Sequence, residues 1–151
     1  MKHISINLIA LFVSISTFVT AQSPAAVLSS KDVDNYITSL KPMSKELMAL
    51  GDKYSDDPTM AQMWSYTEAR SILEKYGWNE TYAQKWAAIT VGASYLIAME
   101  QVKDMPEEQA KSMSEMYLTQ YKSMINEADI ELLKPRVAEL KKLFEEIGEE
   151  D

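Results

Sequence analysis

Thioethers set three residues apart on a helix face the same side and can share a soft ion such as Cu(I). The chain offers two such pairs, Met60/Met63 and Met113/Met116, among ten methionines in 151 residues. The commoner role of methionine is to fill irregular gaps in helical cores. Met113 falls within an ordinary amphipathic stripe, which favours packing there. Met60 and Met63 are followed at once by Trp64. Exposed Met and Trp suit an adaptable recognition surface, so Met60, Met63 and Trp64 are the candidate partner-binding residues. The four paired methionines are the candidate metal ligands of a competing reading.

The rings come next. Eight Tyr and three Trp outnumber three Phe, so many rings carry a polar tip that needs a partner. Tyr66, Tyr95, Tyr117 and Tyr121, with Tyr76 and Tyr82, could line a cavity between helices for a small apolar ligand. The plainer alternative packs each ring at the rim of the core with its hydroxyl in water, since pockets are few per protein.

Catalytic groups are scarce. The chain has no Cys, and its single His is His3. Thiol nucleophiles, disulfides, Ser-His-Asp triads, thiolate sites and His-built zinc or di-iron sites are therefore out of reach. Glu107/Glu108 and Glu149/Glu150 fall at a helix start and in the tail, where solvation and the helix dipole explain them. Glu100 is the acid nearest an apolar run, and it is expected in solvent or paired with Lys103 or Arg70. The reading is of a non-enzymatic chain with no catalytic residue and no cofactor.

Met1-Lys2-His3 is a short positive region, and Ile4–Val19 carries no charge. Val19-Thr20-Ala21 supplies the small residues of a cleavage site, so residues 1–21 read as a secretory signal peptide with Gln22 as the new N-terminus. Loss of Lys2 moves the net charge from −8 to −9. Such an acidic chain repels nucleic acid and anionic membranes and suits a basic partner. Export without cysteine points to the periplasm or secretion, with no membrane span once the signal peptide is gone; a retained anchor is the alternative, disfavoured because the apolar run is short and ends at a cleavage-type site.

The elements that must position these residues are helices. Trp86–Met99 is uncharged and apolar around its whole circumference, the pattern of a helix buried among others. Its small residues Gly92, Ala93 and Ser94 would admit a close neighbour. This hub helix is expected to begin at an Asn79 cap and reach about Lys103. Trp78 and Trp86, two turns apart on such a helix, need not touch. Ser29 or Ser30 caps an earlier helix that Pro42 should break or kink. Ser55-Asp56-Asp57-Pro58 opens a helix to Tyr76, ended by Gly77. Its two halves point their apolar residues in nearly opposite directions. Met105-Pro106-Glu107-Glu108 opens a one-sided surface helix with Ala110, Met113, Tyr117, Tyr121 and Met124 along it. After a turn at Asn126–Asp129, Pro135 opens the last helix, with an extra turn over Ile130–Lys134 as an alternative before it, and Leu133, Val137, Leu140, Phe144 and Ile147 either close the bundle or form a dimer seam.

The pattern predicts an all-α, single-domain bundle of four or five helices. Residues 22–29 read as a flexible leader, 30–148 as the bundle and 149–151 as an acidic tail. The function expected is protein–protein binding, as an exported inhibitor, immunity-type protein or adaptor. The competing class is a small-ligand carrier, of Cu(I) or of an apolar molecule.

Overall fold

The computed structural model describes residues 24–50 and 60–148. The signal peptide and its cleavage site, Gly51-Asp52 (a pair that reads as a helix stop), the start at Ser55–Pro58 and the acidic tail lie outside the described residues. What is described is all-α, with no strand.

Helix α1 spans Ser30–Met48. The Ser29 side chain accepts from the Asp32 amide, and the Asp32 carboxylate accepts from the Ser29 amide at 2.8 Å, a reciprocal capping box. The other Asp32 oxygen accepts from Lys85 at 2.7 Å, tying this helix start to the hub helix. Partial burial would raise the Asp32 pKa, but the bonds from Lys85 and Ser29 outweigh it and hold the carboxyl below its ordinary value. Pro42 does not end the helix, which runs through it. Thr38 and Pro42 are both exposed, so water can serve the carbonyl that loses its amide partner.

The single helix expected up to Tyr76 is two. Helix α2 (Met60–Met63) closes with Ser65 and Tyr66 amides bonded to Gln62 and Met63 carbonyls. Helix α3 (Thr67–Lys75) starts afresh after an extended Tyr66. The break resolves the opposed faces: Met63 and Trp64 pack on the core from one segment, while Ala69 and Leu73 are buried from the next. Gly77, at φ 81°, then reverses the chain. The Gly77 amide bonds to the Glu74 carbonyl at 2.9 Å and the Trp78 amide to that of Leu73 at 3.0 Å, the two bonds of a Schellman ending.

That reversal drops Trp78 under the hub helix α4 (Tyr82–Val102), and its ring meets Trp86 edge to face at 5.8 Å. The two tryptophans touch because they stand on different elements, a contact that their spacing along one helix would not require. Asn79 is not the helix cap either. Its carboxamide accepts from the Thr81 amide and hydroxyl, bracing the turn before α4. Trp86 is the centre of the core, with Tyr36 at 5.6 Å and Tyr82 at 5.7 Å, both near perpendicular. Such edge-to-face pairs are each worth roughly 0.5–1.5 kcal/mol beyond their area.

Helix α5 is Glu107–Tyr121, α6 is Glu127–Leu133 and α7 is Val137–Gly148. Asn126 is the cap of α6 and not part of a turn; the turn falls at Lys122–Met124. Pro135 lies in a 3-10 segment, Lys134–Arg136, that joins α6 to α7. Leu133 and Leu140 are fully buried, with Phe144 and Ile147 packed on the same cluster, so this rod closes the bundle. Helix α4 packs against α1, α5, α6 and α7, as a hub should.

Residues 24–29 are pinned where a flexible leader was expected. The Asp129 carboxylate accepts from the Val27 amide at 3.1 Å and the Leu28 amide at 3.0 Å. Asn126 donates to the Pro24 carbonyl at 2.8 Å. Leu28 thereby packs on the core.

Candidate functional site

The hub helix is apolar all round but not wrapped all round. Ile89, Val91, Gly92 and Ala93 are buried, whereas Tyr95 to Met99 are only half-buried. Beyond Ala93 the Tyr95 ring meets Tyr121 of α5, whose one extensive contact is with α4. The chain leaves α4 through a tight turn in which the Lys103 and Met105 amides bond back to Glu100 and Val102. Pro106 has extended backbone and starts α5, with Glu107 and Glu108 in the first turn. Helices α4 and α5 thus form an antiparallel hairpin.

No residue of α5 is buried. Its inner stripe, Ala110, Met113, Tyr117 and Tyr121, is half-buried and contains no aliphatic branched side chain. Tyr121 lies between Tyr95 at 5.8 Å and Tyr117 at 6.5 Å, and burial followed by the neighbouring Tyr117 raises its pKa. On the outside, Met116 is 48% and Leu118 49% exposed. A groove of about 400 Å³ runs along one flank, lined by Met105, Glu108, Gln109, Ser112 and Met113. At about 100° per residue, Met116 continues the line of Gln109, Ser112 and Met113, and Leu118 falls on the opposite flank.

The charges divide the same way. Lys85 pairs with Asp32, Lys75 with Glu46, Lys134 with Glu131, and Arg136 with both Asp34 and Glu139. Lys41 and Lys142 both reach Glu146. All these pairs belong to the body of the bundle. Among the described residues, the charged side chains from Glu100 to Lys122 form no ion pair with one another or with the body. Glu100 is exposed, unpaired with Lys103 or Arg70.

A smaller depression of about 190 Å³, lined in part by Asp34 and Arg136, is a weaker candidate. Its guanidinium is already neutralised by Glu139 and Asp34, which raise its pKa further.

The residues singled out from sequence are placed as follows. The Met60 side chain lies outside the described ones. Met63 and Trp64 are half-buried against the core, and the Trp64 ring lies 6.0 Å from that of Tyr82. Met113 lines the groove and Met116 stands in solvent beyond it. Tyr95, Tyr117 and Tyr121 come together as one ladder, while Tyr66 lies in the turn between α2 and α3. Met105 and Leu118 were not anticipated. The signal available was the thin inner stripe of α5, too weakly apolar for a helix meant to be enclosed.

Among the described residues, no group of three His, Cys, Asp or Glu is arranged to hold a metal, and no helix is long and apolar enough to cross a membrane. Compared with protein-family models, curated proteins and solved structures, the chain matches none of them.

Proposed function

We propose that this chain is an exported, non-enzymatic helical binding module of the inhibitor, immunity or adaptor type, and that it docks its protein partner on the outer face of the α4–α5 hairpin. The observation that carries this reading is α5 itself. A fifteen-residue helix that buries none of its side chains contributes little to the core, yet it presents Met116 and Leu118 to solvent. Met116 adjoins the groove that Met105 and Met113 line, and an apolar strip bordered by polar residues in this way is characteristic of interaction surfaces. The free charges around them add to the contrast with the body. The Met63–Trp64 side supports docking less well, because both side chains pack on the core. Tyr95, Tyr117 and Tyr121 pack on one another, which speaks for structure over a ligand cavity. The signal-peptide reading of residues 1–21 places the module in the periplasm or outside the cell.

Lysine crosslinking in the native host tests the docking surface. Partner peptides are expected on Lys103, Lys111 and Lys122 of the hairpin. Crosslinks confined to Lys31, Lys45, Lys141 and Lys142 of the body would overturn the assignment.

A further inference from the structure

The proposed docking face carries information about the chemistry of its occupant. Gln109, Ser112, Met113 and Met116 share one flank of α5 by helical geometry, and Met105 opens the same groove. From Gln109 to Met116 the strip runs two turns, roughly 10 Å. That length matches an i, i+3, i+7 ridge of a partner helix. Its apolar surface is thioether, which repacks around irregular side chains more readily than branched aliphatics do.

The border is acidic on the methionine side. At about 100° per residue Glu108 and Glu115 stand nearer the strip, and Lys111 and Lys122 are turned toward the Leu118 flank. Glu108 lines the groove directly. Neither carboxylate pairs with a cation among the described residues. A second copy would bring like-charged borders together on a chain of net charge −8. A cationic occupant would find unengaged acids along one border of an adaptable apolar strip, with Glu108 in the groove itself.

We infer that the Met105–Met113–Met116 strip takes a cationic amphipathic helix of the partner protein, its apolar ridge on the thioethers and its Lys or Arg side chains on Glu108 and Glu115. This rests on the docking reading above.

The test uses the mature chain with isotopically labelled methionine methyls, titrated with a synthetic Leu/Lys amphipathic helix and its Leu/Glu counterpart. The Leu/Lys peptide is expected to shift the Met105, Met113 and Met116 methyls and leave the buried Met43 methyl unmoved. Its affinity is expected to fall with added salt, and by about tenfold in a Glu108→Lys, Glu115→Lys double variant. Equal binding of the Leu/Glu peptide, or no effect of the double variant, would overturn the inference. Shifts of the same methyls on raising protein concentration alone would also overturn it, in favour of a second copy. The docking reading fails separately, if the native partner is retained when Met116 is changed to Glu.

Discussion

Gly92 shows how the lack of one side chain permits a close helix crossing. A Cβ there would stand 2.5 Å from a Leu133 methyl and 3.2 Å from one of Ile130. Gly92→Ala is expected to cost about 1–3 kcal/mol through overpacking, read by denaturant unfolding. An unchanged midpoint would mean that α6 does not lie this close. Asp129 fixes the N-terminal segment in a comparable way. Only 4% exposed, it is the acceptor for two backbone amides. Asp129→Ala should destabilise by about 1–3 kcal/mol and speed hydrogen exchange at Val27 and Leu28 above other amides. Tyr36 and Tyr82 set an alkaline limit. Burial pushes both hydroxyls up to about 12, with the Thr90 bond to Tyr36 pulling slightly the other way. The unfolded chain gives up these protons near 10, before the folded chain does. Stability should therefore be intact below that pH and fall as pH rises toward 12, in step with tyrosinate absorbance.

Some helix boundaries were legible from a single residue, while those read from Pro42, Asn79 and Pro135 were not. The Ser29 box, the Gly77 reversal and the Pro106 start all stand where their chemistry requires. The break at Trp64-Ser65-Tyr66 was not legible, because nothing in those residues forbids a helix. It follows from tertiary demand: both halves need the core, and a straight helix cannot give it both faces. The Trp78–Trp86 contact was hidden for a related reason, since spacing along one helix says nothing across a reversal. The candidate site was legible in part. Met113 and Met116 stand out as a pair, but the groove also needs Met105, which the turn after α4 brings alongside. The exchange of sites can be tested directly. Trp64→Ala should cost roughly 2 kcal/mol or more, because its ring lies on Tyr82 and the core. Met116→Ala should stay within about 0.5 kcal/mol. Thermal or denaturant melts of both variants decide it, and the reverse order would return the docking surface to the Trp64 side.

The molecule divides into a body and an arm. The body concentrates the aromatic core around Trp86, the ion pairs and the pinned N-terminal segment. The arm, α5 with the outer half of α4, is held by half-buried rings and has no ion pair among the described residues. Unequal investment of this kind is expected when one part of a small domain is stabilised by folding and another by binding. Native mass spectrometry of the mature protein drawn from its own host tests that division most directly, with wild type and Met116→Glu compared at equal melting temperature. A protein partner at fixed stoichiometry is expected on the wild type and is expected to be lost from the variant. A partner retained by both, or an added mass of copper or a small organic molecule in place of a protein, would contradict it.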